Sequence, residues 1–161
     1  VMQRGPDAAN WSERILLWFG TLRMKTIERV CAAPLIYTDW GGAARGVLKA
    51  WKEGSSVLAL IDLPPPLVDR SAAVQFLGAT AYFPPSLIEL AHRQQRPIHV
   101  FIGQWNRDTL QPELKVVSLD TTGAGATLQA AVTLLESAVQ QRPGAWHGWG
   151  DVGLYFQRPA A

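Results

Sequence analysis

Ser56–Gly78, SVLALIDLPPPLVDRSAAVQFLG, decides how the rest of the chain is read. Val57–Ile61 is a short apolar run rich in β-formers, and it predicts a buried strand. The run stops at one charge, Asp62, and then at Pro64-Pro65-Pro66, which cannot continue a central strand. Beyond the proline-rich loop, a second short strand is expected at Ala73–Leu77, closed by Gly78. A carboxylate at the carboxyl end of a buried strand is a common place for a functional group in an α/β protein, so Asp62 is a candidate site residue. The plainer alternative is a turn-former or the cap of the next element.

Composition narrows the function classes. A chain of 161 residues is long enough for a real core and is expected to form one domain. A formal net charge of +2, with no block of Lys/Arg, argues against nucleic acid as a partner. One cysteine, Cys31, excludes an internal disulfide framework and fits a reducing compartment. No apolar run approaches the roughly 18 residues of a membrane span. Val1–Asn10 is polar and contains Gly5-Pro6, unlike a secretory leader, and the Val start is read as a processed or truncated end. Seven tryptophans is a high number for this length, and tryptophan favours cores, interfaces and the membrane boundary.

Outward from the opening stretch, helices and strands alternate. A helix is expected after Asn10, its N-cap, with Glu13 as the capping-box partner. Trp11, Ile15, Trp18 and Leu22 fall on one face, widened by Leu16, Phe19 and Ile27. Glu13, Arg14, Arg23, Lys25 and Arg29 supply charge, and Gly20 is a point where the helix would bend. Two readings stand: an interfacial helix touching lipid through Trp11 and Trp18, or a helix packed on a sheet, the commoner use of such a stripe. Pro34–Thr38 is a short candidate strand, and Ala43–Lys52 reads as a helix stopped by Gly54. Arg45 near the start of that helix is unfavourable against the macrodipole, which suggests another task; an exposed arginine there also costs little. Later, Pro84-Pro85-Ser86 opens a helix through Gln94, Pro97–Trp105 and Glu113–Leu119 read as strands, and Ala126–Gln141 reads as a helix ended by Pro143. Gly153–Phe156 in the aromatic tail is a candidate edge strand. The glycines of Asp120–Gly125 do not have the spacing of a phosphate loop. The alternation predicts an α/β protein: a mixed, mostly buried sheet with helices on both faces.

From about Ala43 to Arg158 the order of these elements resembles the bacterial lipid A biosynthesis (lauroyl/myristoyl) acyltransferases of the lysophospholipid acyltransferase superfamily. The residues that carry the resemblance are Arg45, Gly54, Val57–Ile61, Asp62-Leu63, Phe76-Leu77-Gly78, Leu90-Ala91, Pro97–Ile102, Glu136 and Pro143-Gly144-Ala145-Trp146. Leu63 replaces a usual Gln and Leu77 a second Phe. The resemblance implies an acyltransferase-like fold in which 1–161 is the C-terminal part of a longer domain. It implies transfer of a fatty acyl group from an acyl-carrier protein or acyl-CoA thioester to a glycolipid hydroxyl, by a peripheral enzyme at the cytoplasmic face of the bacterial inner membrane. Arg45, Asp62, Phe76 and Gly78 become the substrate-binding or oxyanion candidates. Consecutive-element packing then sets Arg45 beside Asp62 at one rim of the sheet.

The family's chemistry rests on His-x4-Asp/Glu ahead of the arginine helix, in which the histidine acts as general base. The three histidines here, His92, His99 and His147, do not make that motif, and none precedes Arg45. The chain alone is therefore expected to be inactive. No catalytic residue, metal or cofactor is assigned, and no His/Cys/Asp/Glu set has metal-ligand spacing. A lone His92 is expected to face solvent, His99 to be a satisfied sheet histidine, and His147, between Trp146 and Trp149, to be an interfacial or aromatic-stacked residue. The alternatives are a non-catalytic lipid or acyl-carrier binding module, which needs a pocket but no base, and a nucleotide-sugar binder, disfavoured by the missing phosphate loop.

Overall fold

Helical periodicity builds the first of two compact units, residues 1–58, and a mixed α/β arrangement builds the second, residues 59–161. The structure, a computed structural model, describes residues 11–32, 35–36, 42–106, 109, 111–119 and 122–158. The expected cap Asn10, most of the Pro34–Thr38 stretch and residues 120–121 of the polar loop lie outside them.

In the first unit, α1 (Trp11–Cys31) runs through Gly20 without interruption. Its Glu28 carboxylate accepts the Leu35 backbone N–H at 3.2 Å. The helix α2 (Ala43–Lys52) has the predicted bounds and buries Val47. It ends as expected at Gly54, whose φ of +78° is open to glycine at no steric cost. Ser55 N–H reaches back to the Ala50 carbonyl and Gly54 N–H to the Trp51 carbonyl, which satisfies the last turn. Gly46 lets Ile36 lie against the helix, since an added Cβ would stand 3.1 Å from the Ile36 side chain.

The strand expected at Val57–Ile61 does not form. Residues 55–60 have no regular secondary structure, and Leu58 and Leu60 are exposed. A strand is stabilised by its ladder, and this run has no pairing partner among the described residues. The rim geometry that would align Arg45 with Asp62 rested on that strand, and it falls with it; Arg45 lies in the first unit and Asp62 in the second.

In the second unit a 3-10 turn at Pro65–Leu67 precedes β1 (Ala72–Phe76), β2 (Ala79–Phe83), α3 (Ser86–Arg93), β3 (Ile98–Trp105), β4 (Pro112–Leu119) and α4 (Ala124–Gln141). Two further 3-10 turns, Pro143–Ala145 and His147–Asp151, lead into the short α5 (Val152–Tyr155). The tail expected as an edge strand is thus helical, which buries Tyr155. In place of one mixed sheet, the described strands form two antiparallel pairs, β1–β2 and β3–β4. The first is a tight hairpin in register Phe76↔Ala79, the second a longer ladder in register Ile98↔Leu119 to Trp105↔Pro112.

The core sits where α4 crosses the first hairpin. Every second residue of β1 and β2 points inward, giving Val74, Phe76, Ala81 and Phe83, as period-two alternation requires. The face of α4 that meets them is Leu128, Ala131, Val132 and Val139, with Leu135 partly buried beside them. Ile88 of α3, Trp146 and Tyr155 close the cluster. Fully burying a side chain of this size contributes roughly 1.5–3 kcal/mol, so this cluster outweighs any surface pair in the unit.

Candidate functional site

Four of the stretches singled out in the second unit, at Asp62, Phe76-Leu77-Gly78, Glu136 and Trp146, are linked to one another by contacts around the core. Phe76 ends β1 and is fully buried. Its ring meets Phe83 at 5.3 Å and Trp146 at 5.6 Å edge-on, and stacks over Phe156 at 6.4 Å. Tyr155 lies against both Phe83 (5.1 Å) and Trp146 (5.8 Å). Aromatic pairs in these orientations add about 0.5–1.5 kcal/mol beyond their buried area.

Asp62 is clamped at the edge of this nest. The Tyr155 hydroxyl donates to the Asp62 backbone carbonyl at 2.7 Å. The Trp146 indole N–H donates to the Asp62 carboxylate at 3.3 Å. Buried Tyr and Trp need a partner for their polar tips, and Asp62 supplies both. Burial pushes the Tyr155 phenol well above the usual tyrosine range, with the Asp62 and then the Asp151 carboxylates adding to the effect. The phenol therefore remains a hydrogen-bond donor at ordinary pH. Asp62 is thus a positioned, half-buried carboxylate rather than a loose turn-former.

Phe76-Leu77-Gly78 is the next piece. Leu77 and Gly78 form the two-residue turn between β1 and β2, with φ of 52° and 79°. Positive φ at both central residues is the I′ geometry that matches strand twist. Gly78 fits it freely; Leu77 is strained there by roughly 1–2 kcal/mol. The Leu77 N–H donates to the Glu136 carboxylate of α4 at 3.1 Å, and the Leu77 side chain packs on the core, which together hold the turn. Two turns earlier on the same face of α4, Gln129 exchanges two hydrogen bonds with the Gln75 backbone, accepting from its N–H at 2.8 Å and donating to its carbonyl at 3.0 Å. Side chains of α4 thereby take the place of a neighbouring strand along β1.

Trp146, from Pro143-Gly144-Ala145-Trp146, depends on Gly148. A Cβ at that position would run into the indole ring. Trp149 packs edge-on against Trp146 at 5.1 Å and donates its own indole N–H to the Pro143 carbonyl at 2.6 Å.

The histidines are elsewhere engaged. His92 is half-buried, not solvent-facing, with Nε2 at 2.7 Å from the hydroxyl of the fully buried Thr127. That hydroxyl donates to the Gly123 carbonyl at 3.0 Å, so the His92 nitrogen is assigned as the donor in their bond. His99 pairs across the second hairpin with Ser118 at 2.9 Å, as a sheet histidine should. His147 is exposed in the turn between Trp146 and Trp149.

No family model, curated protein or solved structure matches the chain. Among the described residues, no group of three His, Cys, Asp or Glu is placed to hold a metal ion. In the first unit, Arg45 is exposed near the start of α2, while Trp11 and Trp18 are exposed on α1. The hairpin β1–β2 and the Tyr155 and Gln129 contacts escaped the sequence reading. A signal for the hairpin existed: a two-residue turn ending in Gly between two alternating runs. No local signal marks Tyr155 as the partner of a residue as far away in sequence as Asp62.

Proposed function

We propose that this chain is part of an O-acyltransferase. It moves a fatty acyl group from an acyl-carrier protein or acyl-CoA thioester to a glycolipid hydroxyl at the cytoplasmic face of the bacterial inner membrane. Its fold is acyltransferase-like, and the chain supplies scaffold and substrate-holding surface rather than the general base. One observation carries this reading. Asp62, Phe76-Leu77-Gly78, Glu136 and Trp146, which the family resemblance picks out of four distant stretches, converge on one cluster through the Trp146–Asp62, Trp146–Phe76 and Glu136–Leu77 contacts. In this reading Asp62, held by Trp146 and Tyr155, lines the substrate-holding surface.

A non-catalytic lipid or acyl-carrier binding module is the second reading. The engagement of His92 with Thr127 and of His99 with Ser118 fits either reading, because neither takes a general base from this chain. The two readings part at the gene. The reading frame upstream of Val1 is expected to encode His-x4-Asp/Glu, and replacing that histidine by alanine in the whole protein is expected to abolish acyl transfer. General base catalysis is typically worth 10²–10⁴-fold, so the loss is easily read by thin-layer separation of labelled product. The 161-residue chain alone is expected to give no product. Turnover by that chain surviving simultaneous replacement of His92, His99 and His147 would sink the assignment.

A further inference from the structure

On α1 the exposed indoles and the cations share one side. With roughly 100° of rotation per residue, Trp11, Ile15, Trp18 and Leu22 fall in one stripe, with Phe19 at its margin. Lys25 and Arg29 continue the same stripe toward the carboxyl end, and Arg14 flanks it. Trp11 is 74% exposed, Trp18 61% and Phe19 54%. Trp11, Arg14, Ile15 and Trp18 line a shallow concavity. Over the helix, Arg14, Arg23, Lys25 and Arg29 outnumber Glu13 and Glu28, and Glu28 is engaged by the Leu35 N–H. Among the described residues, no helix is long and apolar enough to cross a membrane.

We infer that α1 docks on the surface of an anionic phospholipid bilayer, its amino-terminal half seated deeper than its carboxyl-terminal half. Indoles settle at the boundary between headgroups and acyl chains, where one end of the ring is apolar and the other wet. Trp11 and Trp18 sit at that level, and Arg14 between them meets a lipid phosphate. Lys25 and Arg29, further along the stripe, remain among the headgroups, where each cation adds attraction to a negative surface. Charge decides the occupant. A second copy packed in parallel by the same stripe would set these cations against their own images, whereas an anionic surface complements all of them in any orientation. The inference specifies the membrane contact of the proposed enzyme but does not require acyl transfer: a chain that binds no acyl donor still docks if α1 is the lipid-facing element.

The test is sedimentation of the 161-residue chain with vesicles of phosphatidylcholine alone or mixed with phosphatidylglycerol, at low and high salt. Binding is expected to the mixed vesicles at low salt and to weaken several-fold at high salt, because surface attraction fades beyond a Debye length of roughly 10 Å at 0.1 M salt. Trp11→Ala with Trp18→Ala is expected to lower binding at both salt concentrations. Arg14→Ala with Lys25→Ala and Arg29→Ala is expected to lower it about tenfold or more, on phosphatidylglycerol vesicles only. Circular dichroism confirms that both variants remain folded. Failure to bind mixed vesicles at either salt overturns the inference. So does binding unchanged in the tryptophan variant, or a dimer in gel filtration that the same variant dissociates.

Discussion

Trp146 and Trp11 are the same residue type put to opposite uses. Trp146 is 7% exposed, its ring wedged between Phe76, Trp149 and Tyr155 and its N–H bonded to Asp62. Trp11 stands on a helix face open to solvent. The second unit builds its core by converging strands and helices on aromatic rings whose polar tips are satisfied. The first unit presents Trp11, Trp18 and Phe19 on a helix that also carries cations. Aromatic content alone therefore says little about burial; what the ring is surrounded by, and whether its N–H or O–H has a partner, decides it.

That contrast breaks most easily at Phe76. Phe76→Ala removes a fully buried ring from the centre of the nest and is expected to cost about 3–5 kcal/mol, read as a fall in the urea midpoint. Trp18→Ala, on the exposed face of α1, is expected to change stability by no more than about 0.5 kcal/mol. Similar losses at the two sites would mean that the α1 stripe is core after all.

A smaller effect is expected at Gly148, where an added Cβ forces the Trp146 indole to move. Gly148→Ala is expected to destabilise by about 1–3 kcal/mol and to change the near-ultraviolet dichroism of the aromatic cluster. An unaltered spectrum would show that the indole is not held as described.

The sharpest test of the Asp62 clamp lies at Tyr155. Tyr155→Phe keeps the ring and leaves the Asp62 carbonyl without its donor, at a cost of about 1–3 kcal/mol. Its pH dependence carries a sign. The folded phenol has a raised pKa, whereas an unfolded tyrosine ionises near pH 10. Below that pH the contribution is fully present; above it the unfolded chain sheds a proton that the folded chain keeps, so stability falls as pH rises. Urea titrations above roughly pH 10 are expected to show the wild-type chain losing stability faster than Tyr155→Phe. Parallel curves would remove Tyr155 from the clamp.

Sequence by itself determined the elements whose pattern is local. The helix at Ala43–Lys52 with its Gly54 stop, the helix ending before Pro143, the turn-flanked strands β3 and β4, and the inward face of α4 follow from periodicity and from residues within one turn of each other. The same local logic failed at Val57–Ile61 and at Gly153–Phe156. An apolar run becomes a strand only if another strand accepts it, and a short aromatic tail takes the conformation that buries its tyrosine. The candidate residues Asp62, Phe76 and Gly78 were legible one at a time. Their arrangement was decided by tertiary structure alone: the bonds that hold Asp62 cross from Trp146 and Tyr155, and the bond that holds Leu77 crosses from Glu136. Such long-range pairing leaves no periodic trace in sequence, because it depends on where the folded helices place the two ends.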